Sequence, residues 1–290
     1  MNLSPWILAA RPITLVASII PIISAMLILP NSLFKVNIFI WTLVAAIIIQ
    51  VVTNYINDLL DFLKGADKNR IGPQRMLQAG LITENQMKKT ILWLICIGII
   101  SGIPLVIQGG YTIIIIGLTS FLFAYLYTGG PYPLAYNGLG DIFVFIYFGL
   151  IAVLGSYFLQ TSYIDNNATY LAISIGAKNV LLLIINNIRD YQTDKTANKK
   201  TLIVLFGLLF GKIQTLFMVC MSYISIYFLA LNFEKINVFY LSLLSLPLIA
   251  SIIYDVFYKR GVLLNKTLLK VSGFLVLDCI LLAIGIFICS

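Results

Sequence analysis

An all-α membrane helix bundle is the fold class that this 290-residue sequence predicts, and three observations predict it. Hydrophobic residues make up 60% of the chain and charged residues 10%, with a mean hydropathy of +1.00; a soluble domain carries about 25% charged residues. Nine apolar stretches, at about 13–30, 37–60, 90–108, 111–128, 138–160, 168–189, 213–231, 236–257 and 268–288, approach the roughly 20 residues needed to cross hydrocarbon about 30 Å thick. The basic residues, finally, alternate between connections. Sixteen of 19 fall on one side: Arg11, the 60–89 loop, the 189–212 loop and the 259–270 loop. Lys35 and Lys235 lie on the other side, and Lys178 sits inside the sixth stretch.

Each stretch reads in turn. The first follows Arg11 in the manner of a signal peptide, but no soluble domain follows it, so it is expected to stay as the first span. The positive-inside bias places the N-terminus and the basic loops in the cytoplasm. The second stretch ends in Asn54-Tyr-Ile-Asn57-Asp58-Leu-Leu-Asp61, and the sixth in Asn186-Asn187-Ile-Arg189-Asp190-Tyr-Gln-Thr-Asp194. Spans two and six run in the same direction, a weak sign of two four-helix halves and a ninth helix. The fourth and fifth are crowded with aromatics, among them Tyr127, Tyr136, Phe143, Tyr147 and Phe148, which suit a lipid belt or the lining of an apolar tunnel. The four cysteines all lie in apolar stretches without CxxC spacing and read as small buried hydrophobes.

Of 11 acidic residues, Asp58, Asp61, Asp67, Asp190 and Asp194, with Glu84 just beyond, gather in or near the two motifs. Carboxylates at the edge of lipid are costly and mark function by default. On a continuous helix Gln50, Asn54, Asn57, Asp58 and Asp61 share one face, as do Asn186 or Asn187 with Asp190 and Asp194. Two such stripes facing each other make an oxygen-rich site. His is absent from the chain, so the donors favour Mg²⁺, which takes one or two carboxylates together with phosphate oxygens. Interleaved cations (Lys64, Lys68, Arg70, Arg75, Arg189, Lys195, Lys199 and Lys200) make the site a diphosphate receptor, with Arg75 and Lys199 the strongest candidates. Lys88, Lys89, Lys259, Arg260, Lys266 and Lys270 read as ordinary flanking charges. A metal-diphosphate mouth above an apolar, water-free interior suits ionisation of an allylic diphosphate and capture of the cation by an electron-rich partner.

These residues resemble the UbiA superfamily of intramembrane prenyltransferases. Asn57-x-x-x-Asp61 with Asp67, and Asp190-x-x-x-Asp194, match its two signatures. The Lys64-Gly-Ala-Asp67 extension, Arg70-Ile-Gly-Pro-Gln-Arg75, Tyr127 through Asp141, Asn186 through Thr201 and Trp6 through Pro12 are similar to its 1,4-dihydroxy-2-naphthoate polyprenyltransferase branch. The resemblance runs to about Gly207. It implies one domain, 1–290, of nine helices around a central cavity, capped by loops at about 61–89 and 190–212. It further implies Mg²⁺ held by Asn57, Asp61, Asp67, Asp190 and Asp194, with Asp61 and Asp190 catalytic, and diphosphate held by Asn57, Lys64, Arg75 and Lys199. The implied partners are a polyprenyl diphosphate, a naphthoate acceptor that loses CO₂ to give demethylmenaquinol, and the lipid bilayer of a bacterial cytoplasmic (inner) membrane. No nucleic acid and no obligate protein partner are expected. Acceptors such as 4-hydroxybenzoate or homogentisate are the nearest alternative. Asn198 departs from the branch, which often has Gly there, and Leu205 from a common Arg. Lys178 and Asp278, the mid-span charges, either pair or face a polar cavity. A transporter, the alternative of another class, would place its charges near the midplane rather than at one face.

Overall fold

A computed structural model describes residues 4–65 and 72–287, which leaves Asp67, Lys68, Arg70 and Cys289 outside the described residues. The described chain is a bundle of helices without strands. Helices α1 (Ser4–Ala10) and α2 (Pro12–Leu27) form a pair bent by 52° at Arg11, whose φ of 52° is left-handed. Pro12 opens α2, where a missing N–H leaves no helical bond unmade. Helix α3 (Val36–Leu63) brings the first acidic motif to its C-terminal end. Helix α4 (Glu84–Leu126) starts at a capping box in which Thr83 Oγ1 accepts from Gln86 N (3.3 Å) and Gln86 Oε1 from Thr83 N (3.0 Å).

At 43 residues α4 would run roughly 65 Å as one rod, twice the hydrocarbon thickness. It breaks at Gly110, where φ 63° and ψ −145° lie in a region open to glycine. The parts before and after the break match the third and fourth expected spans. Then follow α5 (Gly140–Thr161), α6 (Asn166–Arg189), α7 (Tyr191–Thr196), α8 (Leu202–Phe206), α9 (Leu208–Asn232), α10 (Asn237–Tyr258) and α11 (Gly261–Phe287). Seven described helices are each long and apolar enough to cross a membrane, and counting the bent α1–α2 pair as one span makes eight. The ninth crossing of the sequence expectation depends on counting α4 as two.

Helix α6 is the central post, buried along most of its length, whereas most of α3 is not. Asp165 caps it by accepting from Ala168 N at 2.8 Å. Val180, Leu181, Ile184 and Ile185 of α6 pack with Ile249 and Ile252 of α10 and Phe274 of α11. Lipid tails are as apolar as these side chains, so close packing rather than escape from water holds the helices together. The tightest approach is between α5 and α6, where a Cβ on Gly149 would stand 2.4 Å from Gly176 Cα. Gly149 belongs to a π-helical stretch, Phe145–Ile151, inside α5.

Lys178 and Asp278 are buried and joined by a hydrogen-bonded ion pair, the first of the two arrangements expected for them. Lys178 also donates to Ser174 Oγ at 2.9 Å. The cysteines differ from expectation: Cys279 is buried, but Cys96 and Cys220 are exposed on the outer surface of the bundle. An apolar thiol loses nothing by facing lipid instead of protein.

Candidate active site

The C-terminal ends of α3 and α6 reach one cavity of about 230 Å³. Gln50, Asn54, Asn57 and Asp61 line it from α3, at spacings of four, three and four residues. Asp58 departs from the stripe drawn from the sequence. One residue on from Asn57 turns it about 100° around the helix, and its Oδ2 accepts from Met76 N (3.3 Å) beneath the loop after α3. That loop folds back because Met76, Leu77 and Ile82 bury themselves against Val52, Tyr55 and Leu59 of α3. Its return carries Arg75, buried, into the cavity wall.

Asp61 is held from two sides. Its Oδ2 accepts from Arg75 Nη2 at 3.1 Å and its Oδ1 from the Tyr136 hydroxyl at 2.8 Å. Asn57 Oδ1 accepts from Thr128 Oγ1 at 2.6 Å. Lys64 lies beside the cavity rather than in its wall: its ammonium donates to the Thr128 carbonyl and sits 4.5 Å from the Tyr136 ring centroid. Lys199 Nζ approaches the same ring at 5.8 Å. Tyr136 thus joins both cap segments, and Lys200 N donates to its carbonyl (3.0 Å).

From α6, Asn179, Asn186, Asn187, Arg189 and Asp190 line the cavity, followed by Asp194 of α7 and Lys199. Arg189 grips Asp190 through Nε and Nη2, both at 2.7 Å, and donates through Nη1 to Asn265 at 2.9 Å. Such a planar fork holds a carboxylate in one orientation. Asp194 is buried, 3.4 Å from Lys199 Nζ. Burial pushes its carboxyl up to about 6; Lys199 opposes the shift, and the Asp190 and Asp61 charges add to it. Asn198, the departure from Gly, has φ 53°. Asn is among the few side chains that tolerate this left-handed turn, so the substitution keeps the backbone path.

Among the described residues no three carboxylate, Cys or His groups converge closely enough to cage a metal. Asp194 Oδ2 is buried with no hydrogen-bond partner among them. All the donors are oxygens, and Asp61 and Asp190 already hold guanidinium partners. A hard divalent cation fits this set when phosphate oxygens and waters complete its shell, as Mg²⁺ sites ordinarily require.

A second chamber, about 460 Å³, lies against the first, walled by small and aliphatic residues of α3, α4 and α5 such as Ala45, Gly102, Ile103, Ile116 and Gly155. Gln50, Thr53, Tyr127, Val144 and Phe148 line both chambers. Asn179 and Thr128 were not singled out from sequence, whereas Arg189 counted among the interleaved cations and Tyr136 among the aromatics. Arg189 and Tyr136 stood inside recognised motifs, whereas an isolated mid-helix Asn gives no pattern to find.

A helical bundle able to cross a membrane, with a charged chamber that shares five lining residues with an apolar one, defines a class of integral-membrane proteins with a polar and an apolar compartment side by side. A family model described as the UbiA prenyltransferase family matches residues 18–277, and the chain belongs to that family. Relatives named 1,4-dihydroxy-2-naphthoate octaprenyltransferase include one from Mycobacterium leprae, 31% identical over 71% of this chain and 70% of that protein. Another, from Escherichia coli, is 34% identical over 70% of this chain and 68% of that one. Among solved structures, a UbiA homolog from Archaeoglobus fulgidus bound to GPP and Mg²⁺ superposes with a TM-score of 0.68 over 96% of this chain and 99% of its own, at 15% identity. That likeness concerns the fold.

Proposed function

We propose that this chain transfers a polyprenyl group from polyprenyl diphosphate to 1,4-dihydroxy-2-naphthoate with loss of CO₂, giving demethylmenaquinol. The observation that carries the transferase reading is the pair of chambers sharing one rim, polar with Asp and Arg on one side and apolar on the other. The choice of acceptor is supported by the names of the relatives, five of which at 31–35% identity are naphthoate octaprenyltransferases. Residues 1–290 act as one domain, with segments 61–89 and 190–212 capping the mouth. The positive-inside bias of the sequence supports a cytoplasmic N-terminus and a site facing the cytoplasm, in the cytoplasmic membrane of a bacterium.

In this reading Arg75, Lys199, Lys64 and Asn57 hold the diphosphate, and Asp61 and Asp190 are catalytic. Asn57, Asp61, Asp67, Asp190 and Asp194 serve Mg²⁺, which when bound neutralises the departing diphosphate. The C–O bond to the prenyl carbon breaks and the electron pair leaves with diphosphate. The acceptor ring forms a C–C bond at its carboxylate-bearing carbon; that carboxylate departs as CO₂ and returns its bonding pair to the ring. Tyr136 and Arg75 keep Asp61 oriented, and Arg189 does the same for Asp190. The buried rim keeps bulk water from the cation.

The test is a product assay on detergent-purified protein with Mg²⁺ and a polyprenyl diphosphate, offering 1,4-dihydroxy-2-naphthoate and 4-hydroxybenzoate in parallel. Prenylated naphthoquinol lacking the carboxylate, abolished by EDTA, supports the proposal. Product from 4-hydroxybenzoate alone would leave the transferase and replace the acceptor.

A further inference from the structure

We infer that Asn179 anchors the acceptor, its Oδ1 accepting a hydrogen bond from a ring hydroxyl of a hydroxylated aromatic at the floor of the polar cavity. The inference rests on the prenyl-transfer reading above and deepens it. Asn179 is 2% exposed in the middle of α6, where a polar side chain is costly unless used. Its Nδ2 donates to the Phe148 carbonyl at 3.1 Å, which leaves Oδ1 as the end of the amide still to be satisfied. The other end, Oδ1, has no hydrogen-bond partner among the described residues, and Asn179 lines the cavity. A buried amide oxygen left without a donor is expensive, and a ligand hydroxyl removes that cost.

The fold builds this arrangement deliberately. Gly149 and Gly176 let the α5 backbone touch α6 one turn before Asn179, which sets the Phe148 carbonyl within reach of Nδ2. The backbone there is π-helical, an irregularity frequent at functional sites. Depth agrees as well. Asn179 precedes Asp190 by 190 − 179 = 11 residues, and Gln50 precedes Asp61 by 61 − 50 = 11. Both amides therefore lie roughly 16 Å from the carboxylates along their helices, on the side of the rim residue Phe148. The chemistry of the pocket selects its ligand: a lone acceptor oxygen takes a protonated hydroxyl and repels a carboxylate.

The experiment compares wild type with Asn179→Leu, using 1,4-dihydroxy-2-naphthoate and its two monomethyl ethers as acceptors. In wild type one ether should show a KM roughly tenfold above the parent, the effect of losing one hydrogen bond. Asn179→Leu should raise the KM of the parent by a similar factor, leave the KM of the prenyl diphosphate within about twofold, and erase the preference for free hydroxyl over ether. A variant that keeps this preference, or that raises both KM values alike, overturns the inference while the transferase stands. Should Asn179→Leu not purify folded, Asn179→Ser, whose oxygen falls short of the ring, is put through the same comparison. Wild-type protein that prenylates no hydroxyaromatic overturns both readings.

Discussion

Replacing Lys178 by Met removes the cation from a pair whose side chains are only 1% and 4% exposed. Asp278 is then a carboxylate inside the bundle without its counter-charge, and the expected loss of stability is about 3–5 kcal/mol. Asp278→Leu strands the ammonium instead, with Ser174 Oγ at 2.9 Å and the face of Phe274 at 5.4 Å as its remaining company; the expected cost is again about 3–5 kcal/mol. The double variant Lys178→Met/Asp278→Leu fills a similar volume without charge and should fall within about 1 kcal/mol of wild type or above it. Reversible unfolding in detergent, run as a double-mutant cycle, measures the coupling. Single variants as stable as wild type, or a double variant as damaged as the sum of its parts, would refute the argument. The double variant should also retain prenyl transfer, because the pair lies outside the cavity wall; a stable but inactive double variant would give these charges a chemical role.

Other outcomes follow from the cavity itself. Asp61→Asn and Asp190→Asn, inserted and purified like wild type, should each lower turnover by at least about a hundredfold, read as prenylated product per unit time. Wild-type rates in either would remove the residue from the metal group. Arg75→Ala should raise the apparent KM for the prenyl diphosphate roughly tenfold, in line with loss of a charge-assisted contact, and an unchanged value would refute that contact. Gly149→Ala puts a methyl group 2.4 Å from Gly176 Cα and 2.9 Å from the Ala172 carbonyl. Both are backbone atoms, so α5 and α6 must separate, at a cost of about 1–3 kcal/mol that a melting curve would show.

Much of this was legible before the fold. Apolar length and the alternation of basic loops announced a membrane bundle, and the scarcity of charge made the two Asp motifs conspicuous. Helical spacing placed Gln50, Asn54, Asn57 and Asp61 on one stripe, as observed. The same rule misplaced Asp58, since a stripe wide enough to include it is wider than the cavity, and a loop amide competes for it. Arg75 reaches Asp61 only because Met76 and Leu77 pull the loop down, a packing event that no local pattern encodes. Tyr136 serves the site through a Pro-rich connection whose path depends on partners distant in sequence. The apolar stretches on either side of Gly110 were already separate in the sequence, and α4 breaks at that glycine.

The apolar chamber is not sealed. Ile103, Ile107 and Leu118, which line it, are also more than half exposed. A tail too long for the chamber thus has somewhere to go without folding back on itself: its far end dissolves among the lipids while its head stays between α3 and α6. On the proposed reading, the pocket would hold only the first units of a prenyl tail and leave the remainder to the membrane. On that reading the site itself would place no upper limit on tail length.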